Sequence, residues 1–183
     1  FGERSGEADW GAAGHLRQCP ILPPPWNLSY LQAPMYLFLR EWRMAFLALI
    51  HAAIAGFMLF FMAVVPQAAF KTLSAKAVGA FLRVLFPRLF LFGLALALAA
   101  CVAALMAGAD WQLTVSALIA GGFAVNVFIL TPRINIYRDR DLEGDAAAKR
   151  MFGLLHLASV GIFLLQLVGS LTVIGFYSLG STV

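Results

Sequence analysis

Charge is scarce in this sequence, and cysteine is scarcer. Of 183 residues 12% are charged and two are cysteine. A soluble domain carries about 25% charged and about 45–50% apolar residues. Here the hydrophobic share is 62% and the mean hydropathy is +0.85. That much apolar surface has nowhere to hide in water, so the composition points to a membrane protein. Cys19 lies in the N-terminal region and Cys101 inside an apolar run, with no C-x-x-C spacing. They support neither a disulfide framework nor a zinc site, and no metal centre is expected. The net charge of +4 is small, and no basic run interleaves with aromatics, so nucleic acid is not an expected partner.

Charge is missing altogether from four stretches, which are the expected membrane spans: 44–65, 89–109, 111–130 and 151–177. At about 1.5 Å per residue, some 20 apolar residues cross a hydrocarbon core of about 30 Å. Trp111 and Tyr177 stand at span ends, where amphipathic rings prefer the headgroup layer. Residues 1–43 read as a Pro/Gly-rich, poorly ordered tail containing "ILPPPW", and 44–179 as the transmembrane domain. No basic segment followed by an apolar core opens the chain, so no signal peptide is read there. Between spans one and two, Val78, Phe81, Leu82 and Leu85 follow i, i+3, i+4, i+7, while Lys76 and Arg83 lie off that stripe. This predicts an amphipathic interfacial helix within 71–88. The expected fold class is an all-α membrane protein, a four-helix bundle with that interfacial helix.

Where charge does occur, it gathers. Nine charged residues fall between Arg133 and Arg150, and none follows to Val183. The 1–2 and 3–4 connections together hold nine Lys and Arg, against Arg40 and Arg43 beside the membrane on the other side. The positive-inside rule makes the richer side cytoplasmic and puts both termini outside. The stretch 131–150 therefore reads as a cytoplasmic loop. Asp139, Asp141, Glu143 and Asp145 pair with its arginines or solvate it, and "DRDLEGD" lacks EF-hand spacing.

Polar side chains inside spans are costly and usually face the bundle interior. Span four has His156, Ser159, Gln166 and Ser170 on one stripe, with Phe163 filling the gap. Span three has Asn126, with Arg133 seven residues on, and span one has His51. Gln67 and Arg88 lie beside the prolines that bound spans one and two. The candidate ligand-binding set is His156, Ser159, Asn126, Arg133, Gln67 and Arg88, a polar vestibule at the cytoplasmic end closed on the other side by apolar packing. The bland alternative is hydrogen-bonded glue between helices. Gly56, Gly121, Gly122, Gly161 and Gly169 are the expected helix-packing positions.

No acidic residue lies inside a span, and no catalytic triad, nucleophile elbow, P-loop or H-E-x-x-H is present, which points away from an enzyme. No cofactor is expected. Haem is disfavoured, because His51 and His156 belong to different depths, more than ~10 Å apart along the normal. A pairing of His51 with a methionine stays open.

"LFPRLFLFG" (85–93), "LTPRINIYRD" (130–139), "FGLLHLASVGIFLLQLVG" (152–169) and "HAAIAGFMLFFMAVVPQAAF" (51–70) resemble the transmembrane protein 205-like family. The shared pattern is an aromatic-Pro turn at Phe86-Pro87, a Pro-Arg end at Pro132-Arg133, and Phe152, His156 and Ser159 opening span four, with Gly56, Pro66 and Phe70 in register. The resemblance covers about residues 44–175. It implies a small four-helix domain of unknown function, in a bacterial inner membrane for the bacterial branch, and it supplies no reaction. Three functions stand, in this order: a small-molecule or ion-binding protein of the bilayer, which as a transporter would need a homo-oligomer; a non-catalytic subunit or assembly factor of a larger membrane complex; and, third, a haem-binding membrane protein.

Overall fold

The computed structural model describes residues 29–180. The chain divides into two compact units, Phe1–Tyr36 and Leu37–Val183. Of the first, the described part is helical backbone from Ser29 onward. The elements are α1 (Ser29–Thr72), α2 (Ala75–Ala107), α3 (Asp110–Ala124), a π-helical segment (Val125–Leu130), α4 (Thr131–Leu142) and α5 (Ala146–Gly180). No strand occurs among the described residues. Phe38–Thr72, Ala75–Ala107, Asp110–Leu142 and Ala146–Gly180 are each long and apolar enough to cross a membrane. The all-α plan with four such helices agrees with the sequence pattern.

Three expectations need correction. Helix α1 starts at Ser29, well before residue 44, and the earlier residues, with Cys19 and "ILPPPW", lie outside the described ones. The stretch expected as a separate interfacial helix is the first part of α2, which runs unbroken through Pro87. Proline removes a backbone donor from the helix ladder. Here Arg88 Nη1 reaches back to the Val84 carbonyl at 3.0 Å and supplies a donor beside the gap. Finally, the charged stretch after span three is not a loop but helix α4, so that Asp110 to Leu142 is one continuous helical segment.

Short caps turn the chain. Ser74, extended at φ −65° and ψ 155°, accepts from the Ala77 amide and opens α2. Gly108 has φ 63°, and the amides of Gly108 and Ala109 bond Leu105 and Ala104, a Schellman ending. Gly144 (φ 96°) ends α4 in the same way, and Asp145 Oδ1 accepts from Ala147 and Ala148 at 2.9 and 3.1 Å to start α5. Part of "DLEGD" is therefore turn chemistry. The α1–α2 and α4–α5 turns lie at one end, the charged end. At the opposite end Arg43 donates to the Met106 carbonyl at 2.8 Å, a cation at the C-terminus of α2.

The expected packing glycines divide: Gly122 and Gly169 meet neighbouring side chains, and Gly93, which was not among them, meets its neighbour most closely. Gly93, Ala97, Ala100 and Ala104 recur at i, i+4, i+7, i+11 and are all buried, giving α2 a smooth face. A Cβ on Gly93 would come within 2.5 Å of the Phe123 ring. A Cβ on Gly122 would come within 2.8 Å of Gln166 Nε2, and one on Gly169 would make ordinary contact at 3.4 Å. Gly56, Gly121 and Gly161 meet no described atom within 4 Å, so these three are not packing positions within the chain.

Candidate functional site

Along the bundle axis the core falls into three layers. Toward the opposite end it is polar. His51 is fully buried, with Nε2 3.1 Å from Ser116 Oγ and Nδ1 3.4 Å from Ser170 Oγ. Ser116 gives its own hydrogen to the Gln112 carbonyl at 2.7 Å, so it can only accept from His51. Nε2 therefore carries the imidazole hydrogen, and Nδ1 accepts from Ser170. One turn nearer the centre, Gln166 Nε2 donates to the Ile119 carbonyl at 2.8 Å. The expected all-apolar closure on this side is thus corrected: histidine, serines and glutamines of α1, α3 and α5 occupy it, while α2 contributes only apolar residues.

The middle layer is aromatic. Phe61, Phe86, Phe90 and Phe163 close a circuit of rings, with centroids 5.6 Å (61–86), 5.8 Å (86–90), 6.2 Å (90–163) and 6.2 Å (163–61) apart. Such edge-to-face and offset pairs hold one another beyond simple area burial.

Below the rings, toward the charged end, lies a cavity of about 420 Å³ between α1, α2, α4 and α5, with those four phenylalanines as its floor. Its volume is that of a small-molecule site. Met62 on α1 and Val160 and Leu164 on α5 line it and are also 42%, 39% and 42% exposed, so the cavity opens sideways between α1 and α5. Half of its polar groups come from α4, namely Thr131, Asn135 and Arg138, and the others are Arg83 of α2 and His156 and Ser159 of α5.

Local chemistry fixes those groups. Ser159 Oγ donates to Asn126 Oδ1 at 2.6 Å, and the Thr131 hydroxyl donates to the Asn126 carbonyl at 2.7 Å. The Thr131 amide bonds that same carbonyl, five residues back, which is the π register. Such a wide turn lets the helix pass Pro132 without a break. Arg83 forms a two-pronged ion pair with Asp139, its Nη1 lying 3.2 Å from Oδ2. Arg138 lies over Gly79, where an added Cβ would come within 3.2 Å of its Nη2, and 5.8 Å above the Phe152 ring. His156 is exposed and stacks on Phe152 at 6.0 Å.

Of the sequence-derived set, His156 and Ser159 line this cavity, and Asn126 stands behind its wall, fully buried. The others do not converge there. Arg133 lines a separate groove on the far side of α4. Gln67 is exposed and outside the cavity lining, and Arg88 is exposed and spends a guanidinium nitrogen on its own helix. The floor is also apolar, not the polar vestibule expected. Sequence reading missed Arg138 and Asn135. Thr131, Asn135 and Arg138, spaced i, i+4, i+7, were the available signal.

Two buried polar atoms, Asn126 Nδ2 and Gln166 Oε1, have no partner among the described residues. They lie close along the axis: Gln166 rests against Gly122, one turn of about 5.4 Å from Asn126.

The family model described as Domain of unknown function (DUF4149) matches residues 49–143, just over half of the chain. It spans three of the four floor rings, Phe61, Phe86 and Phe90, with Arg83 and Arg138 of the wall, and stops before α5, which supplies Phe163. No curated protein and no solved structure matches.

Proposed function

The chain belongs to the DUF4149 family, and from that premise we propose that its cavity binds an amphiphilic small molecule entering from the bilayer. The apolar body of the ligand lies on Phe61, Phe86, Phe90 and Phe163. Its anionic group meets Arg138, with the Asn135 amide and the His156 ring as further donors. One observation carries the reading: an aromatic floor faces an arginine that has no carboxylate in ion-pair range among the described residues. A hydrated inorganic ion would leave the floor unused. A purely apolar ligand would leave a guanidinium facing hydrocarbon, which is costly.

The charged end is cytoplasmic in this reading, both termini are periplasmic, and the membrane is the bacterial inner one. The nine Lys and Arg of the two connections support that orientation. The resemblance to transmembrane protein 205-like chains fits too, since Phe86, Phe152, His156 and Ser159 of its pattern all line the cavity.

The test is binding of dodecyl phosphate, dodecanol and inorganic phosphate to the purified chain in a neutral detergent, read by native mass spectrometry. Dodecyl phosphate should bind best and inorganic phosphate worst. Arg138→Gln should weaken dodecyl phosphate about tenfold or more, since a hydrogen bond to a charged group contributes about 1.5–3 kcal/mol. Equal binding of dodecanol and dodecyl phosphate would remove the anionic half of the reading. No binding of either would remove it altogether.

A further inference from the structure

Helix α4 carries arginines on both sides. Thr131, Asn135 and Arg138 share the face turned to the cavity. Arg133, Tyr137 and Arg140, also at i, i+4, i+7, share the opposite face, about 180° round at 100° per residue. With Ile136, and with Met151 and Leu155 of α5, they line a second groove of about 230 Å³. The Arg140 guanidinium lies 5.9 Å from the Tyr137 ring centroid, which holds it against the groove wall. Neither Arg133 nor Arg140 has a carboxylate within ion-pair distance among the described residues, where the ion pair is Arg83–Asp139.

Depth decides what such a groove would meet. Arg133 stands three residues beyond Leu130, the end of the apolar run of span three, and Met151 opens the uncharged run of α5. The groove therefore lies where hydrocarbon gives way to headgroups. Its apolar walls include the exposed side chains of Ile136 and Met151. We propose that this groove holds the phosphodiester of an anionic membrane phospholipid. The two arginine forks take the phosphate oxygens, the Tyr137 hydroxyl adds a donor, and Ile136, Met151 and Leu155 cover the first methylenes of the lipid chains. Planar guanidinium forks suit two-pronged binding of phosphate. A free phosphate would use the arginines and waste the apolar walls. A zwitterionic lipid would bring its own cation against two others. This site is independent of the cavity, because α4 lies between them.

The test uses the full chain, delipidated in detergent and titrated with phosphatidylglycerol, phosphatidylcholine or inorganic phosphate under native mass spectrometry. Phosphatidylglycerol should bind at least fivefold tighter than phosphatidylcholine, and millimolar inorganic phosphate should not displace it. In an Arg138→Gln background, which silences the cavity, the double substitution Arg133→Gln/Arg140→Gln should abolish that preference, while Lys76→Gln, exposed and lining neither site, should leave it intact. Arg133→Lys/Arg140→Lys, which keeps the charge and loses the forks, should retain only part of it and guards against misfolding of the first variant. Equal binding of the two lipids would overturn the proposal. So would a preference that survives the double substitution, or displacement by inorganic phosphate, which would make the groove a soluble-anion site.

Discussion

Ser159 on α5 donates to the side-chain oxygen of Asn126 in the π-helical segment at 2.6 Å, and both residues are buried. This bond ties α5 to the one irregular turn of the third span. Asn126 already has an amide nitrogen without a partner among the described residues. Ser159→Ala would leave the amide oxygen unpaired as well, and an orphaned buried group costs about 1–3 kcal/mol. Interhelical hydrogen bonds measured in bilayers average less, about 0.6 kcal/mol. The expected loss is therefore about 1 kcal/mol, read from unfolding in mixed micelles. Adding Asn126→Leu should recover part of it, because an apolar pair has nothing left to satisfy. A double variant less stable than Ser159→Ala alone would show that the asparagine does more than pair with the serine.

The glycines order themselves by what surrounds them. Gly93→Ala would press a methyl to within 2.5 Å of the buried Phe123 ring and should cost most, about 1–3 kcal/mol. Gly122→Ala meets Gln166 Nε2 at 2.8 Å, and that side chain can withdraw only by giving up the Ile119 carbonyl, so a smaller loss is expected. Gly56→Ala and Gly121→Ala have open space and should be neutral, or stabilising by up to about 1 kcal/mol through helix propensity. Melting temperatures of the four variants, measured side by side, check the order. A large loss at Gly56 or Gly121 would show a contact made with another molecule.

Four apolar runs were legible because a bilayer demands them, and their limits were set by charge alone. That is also why the ends were misplaced: a helix continues past the last apolar residue if its backbone stays bonded, as α4 does through Leu142. The candidate site suffered from the same blindness to local backbone. Asn126 and Arg133 are seven apart, which in a regular α-helix puts them on one face. The π turn between them adds in effect one residue, about 100°, and swings Arg133 to the far side while bringing Arg138 inward. Nothing in the residue types marks that extra residue except the nearby Thr131-Pro132 pair. The stripe on α5 was legible for the opposite reason. Ser159, Phe163, Gln166 and Ser170 sit on an unbroken helix and are buried as their spacing implies, whereas His156, the first member of the expected stripe, is exposed.

The hydrogen-bond pattern at His51 fixes its tautomer and ranks its partners. Ser116→Ala would strand the Nε2 hydrogen inside the bundle, whereas Ser170→Ala removes the longer of the two contacts, 3.4 Å against 3.1 Å. Ser116→Ala should be the more destabilising, by about 1–2 kcal/mol against less than about 1. Imidazole nitrogen NMR of the wild-type chain should show the hydrogen on Nε2 and a bare Nδ1. The reverse tautomer would mean that Ser116 turns away from the Gln112 carbonyl.

The last expectation concerns the ion pair at the cavity wall. Arg83 and Asp139 are 37% and 51% exposed, so water screens their attraction and the pair adds little to stability. Its larger effect is on the charge the cavity presents, because Asp139 cancels one of the two arginines there. Asp139→Asn should leave the melting temperature nearly unchanged and free the Arg83 guanidinium. Affinity for dodecyl phosphate should then rise several-fold, with dodecanol unaffected. Arg83→Gln should act the other way, leaving Asp139 uncompensated near the ligand and lowering affinity for the phosphate. If both substitutions shift dodecyl phosphate and dodecanol together, the pair acts on the shape of the cavity and not on its charge.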